Sequence, residues 1–420
     1  MRTLSTLFVL LFLATPLFSQ SINGRISSSV YMFERYDAPA TSDFQARGYH
    51  SAILNLNYDK YSLRTYLNYE NYFNTGTDSR MRVYNLYFEA RKLFDIATVK
   101  IGRQPVFSTI AGGVFDGVSV NASYKMFGLD AWYGGNVPAY QKLEITDSWK
   151  DDYLLGGELK AQILPQLLIG VGGFVKNFKP YSYTATRLDD AFNPISVLIQ
   201  EKSNQYQFLQ GRISYDQGKG FQFNARYEYD MNYKKTSRIE FDGISSPVDK
   251  WHFNLYFNYL APRIRYNSIF SVFDFANTTE LEVGAGYDLT KSITLNGRVG
   301  VVSYLSENSS RFTLSANTSF GSLSYRKSLG YAGEQDAISL YLAKSLFDGL
   351  ITPSAGIAYT SYKLTPDAET NSLTTIMGGL NIRAIRWLSF DIQAQYLNNK
   401  IYKNDLRMFF KANYWFNTIF

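Results

Sequence analysis

Residues Phe221 to Asp230 read F-Q-F-N-A-R-Y-E-Y-D. Phe221, Phe223, Ala225, Tyr227 and Tyr229 share one parity; Gln222, Asn224, Arg226, Glu228 and Asp230 share the other. Successive side chains of an extended chain point to opposite faces, so this spacing predicts a strand with one apolar face and one polar, charged face. The pattern repeats on both sides of the segment. Trp251, Phe253, Leu255, Phe257 and Tyr259 alternate with His252, Asn254, Tyr256 and Asn258; Leu281, Val283, Ala285, Tyr287 and Leu289 alternate with Glu280, Glu282, Gly284, Gly286 and Asp288. Leu388, Phe390, Ile392, Ala394 and Tyr396 oppose Ser389, Asp391, Gln393 and Gln395. A soluble sandwich or propeller also alternates, but here the apolar faces end in Tyr, Phe or Trp and the polar faces carry Arg, Glu and Gln at mid-strand. Aromatics at segment ends suit a lipid-facing band that meets two interfaces, and mid-strand charge suits a water-filled interior.

The connections carry the same message. Asp59-Lys60, Pro165-Gln166, Gln217-Gly218-Lys219, Ala261-Pro262, Thr290-Lys291, Phe347-Asp348-Gly349 and Ile385-Arg386 read as tight turns. Longer polar links are expected around 37–46, 74–80, 136–151, 178–203, 233–249 and 362–372. Short turns on one side and long loops on the other are the asymmetry of an outer-membrane barrel. The expected fold is therefore an all-β, transmembrane, antiparallel up-and-down β-barrel. Its strand number should be even, in the range of about 18 to 22, with both termini periplasmic. The first strand is expected near Gly24, with no plug-sized segment before it.

Composition excludes competing classes. The chain has 420 residues, of which 17% are aromatic and only 19% charged, and its mean hydropathy is −0.20. A soluble protein this aromatic needs long apolar core runs, and Asn, Ser, Thr and Gly are interleaved instead. There is no Cys, which rules out disulfides, thiolate metal sites, Cys nucleophiles and covalent haem attachment. With two histidines, His50 and His252, a His-rich metal centre is excluded too. The formal charge of +6 is spread without a basic tail, so nucleic acid is not an expected partner. No cofactor and no metal are expected. Arg2, the apolar run Leu4 to Leu17, Pro16 and Ser19 form the pattern of a cleaved signal peptide over residues 1–20. The remainder, 21–420, reads as a single barrel with short periplasmic turns and longer extracellular loops.

Back from Phe420, alternate positions are Thr418, Phe416, Tyr414, Ala412, Phe410 and Met408. A last strand of alternating aromatics with a terminal Phe resembles the signal read by the outer-membrane barrel assembly machinery; Tyr414, Phe416 and Phe420 carry it. Val99 to Val106 reads V-K-I-G-R-Q-P-V, followed by Phe107-Ser-Thr-Ile-Ala-Gly-Gly-Val. The triplet Gly102-Arg103-Gln104 before a Gly-rich run resembles the strand ahead of the inward-folded third loop in general and anion-selective Gram-negative porins. That resemblance, which spans about fifteen residues (a short motif in the sense of), makes Gly102, Gln104, Ile110, Gly112 and Gly113 the candidate constriction segment, with Arg103 as its nearest charge. It implies a porin: a water-filled pore for passive diffusion of small hydrophilic solutes. The implied surroundings are outer-membrane lipids and lipopolysaccharide, in the cell outer membrane, as a homotrimer. On the polar faces stand Arg64, Lys100, Arg103, Arg212, Arg226, Arg265, Arg298, Arg311, Arg326 and Arg383, against Glu70, Glu89, Glu158, Glu228, Glu280, Glu282 and Asp391. A basic excess on a pore wall implies a mild anion preference. Pairing of these arginines with neighbouring carboxylates is the competing expectation.

Two other readings carry distinct consequences. A barrel near the upper strand count is wide, and a structural sheath around an exported partner such as a multihaem cytochrome would fill it. An outer-membrane enzyme would need a His beside Ser, Asn or Asp. The sequence puts His50 and His252 next to long links on strands that are not neighbours, so catalysis is not expected. The acidic groups Asp147, Asp151 and Asp152, and Asp189 with Asp190, match no calcium-loop spacing and read as solvated loop charge.

Overall fold

Twenty-two strands pair into one sheet and the last returns to the first. This architecture comes from a computed structural model, which describes residues 20–420 except 37–41, 74–75, 109–111, 139–142, 180–181, 201–203, 219, 267, 269, 271–272, 274, 332 and 366. The leader read over residues 1–20 thus lies, Gln20 apart, outside the described residues.

The first nine strands are β1 (Ser21–Tyr36), β2 (Ser42–Tyr58), β3 (Tyr61–Tyr72), β4 (Arg80–Leu93), β5 (Ala97–Phe107), β6 (Gly112–Tyr124), β7 (Phe127–Asn136), β8 (Tyr153–Leu164) and β9 (Leu167–Asn177). A separate hairpin, β10 (Ser182–Leu188) with β11 (Pro194–Gln200), lies within the connection that follows. The wall resumes with β12 (Asn204–Asp216), β13 (Phe221–Asp230), β14 (Lys235–Val248), β15 (Trp251–Leu260), β16 (Thr278–Thr290), β17 (Ile293–Tyr304) and β18 (Glu307–Thr318). It ends with β19 (Gly321–Gly330), β20 (Glu334–Ala343), β21 (Ile351–Lys363), β22 (Asn371–Ile385), β23 (Leu388–Asn398) and β24 (Asn404–Ile419). Neighbours pair antiparallel in chain order, β9 with β12 across the hairpin, and β24 closes on β1 from Ser21↔Ile419 to Tyr36↔Asn404. Closure matters because an apolar bilayer offers no partner to an open edge; a closed sheet satisfies every ladder N–H and C=O from within. The strand count falls at the top of the range expected from sequence.

Which face points in follows from curvature. A convex wall spreads its side chains and a concave wall crowds them. Within β16, Glu282 is 9% exposed between Leu281 at 48% and Val283 at 49%. The polar parity is thus the inner, lumen face and the apolar parity faces out. The outer face carries rings at the short-turn rim: Tyr61 stacks on Phe88 at 5.7 Å, Trp251 meets Tyr287 at 4.9 Å, and Trp387 meets Tyr414 edge-on at 5.6 Å. Strand spacing and tilt put the diameter of a circular barrel of this size at roughly 40 Å. Among the described residues no separate domain fills it.

The short connections 59–60, 125–126, 165–166, 249–250, 291–292 and 386–387 share one end with Gln20, Phe420 and the longer 344–350; the longest connections, 137–152, 178–203 and 261–277, occupy the other, together with the short 305–306 turn. Two expectations are corrected. The stretch 233–249 is mostly strand: Lys235–Val248 is β14, whose Ile239 and Phe241 face out while Arg238 and Glu240 face in. Its Ser, Gly and Pro content masks the alternation. Conversely, Ala261-Pro262 opens the 261–277 connection rather than forming a tight turn.

Candidate functional site

The lumen wall is built by cross-strand reach. A long basic side chain on one strand meets a carboxylate on its own strand or on one of the next two, so most lumen cations named from sequence are paired. Arg64 and Lys100 approach Glu89 at 3.6 and 3.8 Å. Glu158 accepts from Arg212 and has Lys160 at 3.7 Å. Arg226 bridges Glu240 at 2.8 Å and Glu228 at 3.6 Å. Arg311 reaches Glu280 at 2.5 Å and Glu282 at 2.7 Å, and Arg298 lies 3.3 Å from Glu282. Pairs of this kind, open to water on one side, add little stability; their effect is to line the bore with charges of alternating sign. Arg326 on β19 and Arg383, in the register shift of β22, differ: both are exposed and have no carboxylate partner among the described residues, and Arg326 lies on the lumen parity.

Arg103 leaves this set. Its guanidinium is 6% exposed and holds Asp116, itself 2% exposed, through two hydrogen bonds of 2.7 and 2.9 Å. It also donates to the Glu144 carbonyl at 2.6 Å, and Thr146 N–H donates to Asp116 at 2.8 Å. The covering segment lies on the outer wall. The Tyr133 hydroxyl, on the outward parity, donates to the Trp149 carbonyl at 3.1 Å, and a Cβ on Gly135 would sit 2.1 Å from Thr146 Oγ1. Gly135 is small so that residues 144–149 can lie flat on the sheet. The correction has a simple cause: parity places Arg103 opposite Lys100, and only the returning segment makes a buried charge tolerable there.

The candidate constriction segment is a hairpin. Gly112 and Gly113 are the first residues of β6, opposite Phe107 and Val106; Gly102 and Gln104 lie within β5. Gln104 Nε2 donates to the Gly117 carbonyl and its Oε1 accepts from Ser119 at 2.6 Å. Gly102 has φ +126°, and a Cβ there would meet the Leu86 carbonyl at 2.4 Å, which explains that glycine without an inward loop. Ile110 lies outside the described residues.

A different segment enters the lumen. After β15, Arg263 pairs with Glu228, whose carboxylate is fully buried, and lies over the Phe208 ring at 4.9 Å. Arg265, expected on a strand, belongs to this connection and lies over Phe178 at 5.1 Å. Tyr266 N–H donates to the Gln205 carbonyl at 3.1 Å. Beneath it the inner face carries an apolar cluster of Val106, Phe115, Trp132, Leu154, Phe174 and Phe208, one residue from each of six adjacent strands. Sequence reasoning missed this cluster. The available signal was parity: Phe174 shares the face of Gly170 and Gly172, and Phe208 that of Gln210 and Arg212.

The histidines are placed by their strands. His50 on β2 faces out; its Nδ1 lies 2.8 Å from Ser28 Oγ and its Nε2 lies 3.0 Å from Asn71 Oδ1. His252 opens β15 on the lumen side at the short-turn rim, between Ser246 at 2.8 Å and Asp288 at 2.7 Å. At the seam, Tyr414 and Phe416 stack on the outer face, and Phe420 N–H donates to the Gln20 carbonyl at 3.0 Å. Among the described residues no cluster of three or more metal-ligating side chains is present. Asp189 instead caps its own turn: hydrogen bonds from Asn193 and the Ala191 N–H hold its carboxyl below the usual carboxylate range.

No family model matches this chain, and no curated protein matches it. Among solved structures, the translocation pore of the P pilus usher PapC aligns at TM-score 0.50 with 11% identity, covering 94% of this chain and 100% of the other. The outer membrane protein OpdK of Pseudomonas aeruginosa aligns at 0.43 and 10%, over 96% and 100%. OccAB1 of Acinetobacter baumannii aligns at 0.43 and 8%, over 94% and 96%. At these identities the likeness speaks to fold alone: the chain is a closed transmembrane-type β-barrel.

Proposed function

We propose that the protein is an outer-membrane channel for passive diffusion of small hydrophilic solutes, exported by the leader over residues 1–20 and oriented with its short turns in the periplasm. The observation that carries the reading is the inversion of the wall: Leu281 and Val283 face out while Glu280, Glu282, Arg298 and Arg311 face a continuous lumen. Such a wall is stable only with lipid outside and water inside. Recognition by the barrel assembly machinery, contact with lipopolysaccharide and a trimeric arrangement belong to the same proposal.

A mild anion preference is part of it, supported by Arg326 and Arg383, whose charges are not neutralised by a carboxylate among the described residues. Anions feel such fixed charges where the bore is wet. The test is single-channel recording of the refolded protein in a planar bilayer, with the reversal potential read in a potassium chloride gradient. Stable conductance steps and an anion-leaning potential are expected, and Arg326→Gln with Arg383→Gln should move that potential towards cations. A cation-selective wild type would remove the anion preference. A folded barrel that stays silent would remove the open channel and favour the sheath reading, for which 22 strands leave room.

A further inference from the structure

We propose that the lumen-side group Ser246–His252–Asp288 is an ester-hydrolysing site at the short-turn mouth of the barrel. This goes beyond the channel reading and does not depend on its ion preference. The local sequence builds the site. Between Ser245 and Val248 the β14–β15 register shifts, leaving Ser246 and Pro247 out of the ladder. A bulge re-aims a side chain, and Pro, lacking an N–H, suits a position that gives no ladder bond. His252 lies just beyond the 249–250 turn, so Ser246 Oγ reaches His252 Nδ1 at 2.8 Å. On the other side β16 brings Asp288 Oδ2 to His252 Nε2 at 2.7 Å, and Thr294 Oγ1 of β17 donates to Asp288 Oδ1 at 2.7 Å. Nucleophile, base, orienting carboxylate and its own anchor thus come from four successive strands.

The group opens on a cavity of about 450 Å³, lined also by Gly220, Gln222 and Lys250, large enough for a small ester. The other histidine has an amide in place of the carboxylate, and an amide cannot neutralise an imidazolium; this separates the two sites. With Asp288 accepting the Nε2–H, Nδ1 is left as the acceptor for the serine proton. Ser246 Oγ attacks the ester carbonyl carbon while its proton passes to Nδ1. That proton then leaves with the alcohol as the carbonyl–oxygen single bond breaks. Water attacks the acyl-serine, gives its proton to Nδ1, and the proton returns to Ser246 as the acid departs. Ester and water become acid and alcohol, with no other reactant. Asp288 acts through His252 and is a positioning residue.

The test uses the full-length barrel in detergent micelles with p-nitrophenyl acetate, and a fluorophosphonate probe with peptide mapping. The wild type should turn over the ester and be labelled at Ser246. Ser246→Ala and His252→Gln should each lose about a hundredfold or more in kcat. Asp288→Asn should lower kcat with KM unchanged, and Asp288→Glu should restore part of it. Ser28→Ala should retain full activity. Absence of turnover and labelling in the wild type overturns the proposal, as does turnover that survives Ser246→Ala or is lost with Ser28→Ala. Heat-modifiable gel mobility of the same preparations reports on folding, and their conductance is read separately, which keeps failure of this site distinct from failure of the channel reading.

Discussion

Asp116→Ala is expected to destabilise the barrel by about 3–5 kcal/mol, the cost of leaving a buried ion with its partner removed. Arg103 would lose both of its hydrogen bonds to Asp116 while staying buried, 6% exposed, beneath the covering segment. The same change removes the carboxylate that holds Thr146 N–H, so residues 144–149 lose an anchor. Two readouts follow: a lower denaturant midpoint in detergent or liposomes, and faster tryptic cleavage after Lys150. The double replacement Arg103→Leu with Asp116→Leu should recover most of the midpoint, because apolar groups of similar size carry no desolvation penalty. An Asp116→Ala barrel as stable as the wild type would mean that the pair is hydrated and the covering segment absent.

The second large effect tests the sidedness of the wall. Val283 lies on the outward parity near the middle of β16, and an arginine there should cost about 2–4 kcal/mol, the price of a cation at the bilayer midplane. Asn254, one strand away on the lumen parity opposite Gly284, should accept an arginine with a shift well inside about 1 kcal/mol. Urea titration of both variants in liposomes separates them. The reverse ranking would turn the barrel inside out and remove the lumen assignments with it.

Much of the fold was legible because it rests on parity, a local property. Phe221 to Asp230 shows its two faces without knowledge of its neighbours, and the alternation at Trp251 and Leu281 is equally explicit. Where parity is blurred, reading failed. In β14, Ser237, Gly243, Ser245 and Pro247 dilute the contrast, so a strand looked like a loop. Ala261-Pro262 has the residues of a tight turn, yet nothing local reveals that Arg263 will be drawn to Glu228.

The candidate site was legible only in its raw materials. Sequence named Arg64, Arg212, Arg226 and Arg311 as lumen cations but could not choose their carboxylates, which lie one or more strands away in register. It paired neither histidine with its partners: Ser28 is 22 residues from His50, and Asp288 is 36 residues from His252. It also placed Arg103 in the pore, because the returning segment is 41 residues distant at Glu144.

What the sequence determined by itself was therefore the membrane class, the two-faced strands, the asymmetry of the two rims and the absence of thiol chemistry. Each follows from side-chain alternation or composition and needs no distant contact. The tertiary structure alone decided the strand count, the segment that enters the lumen, the segment that lies on the outer wall, and the groups brought together around His252. Those depend on ring closure and register, where a shift of one residue exchanges the two faces of a strand.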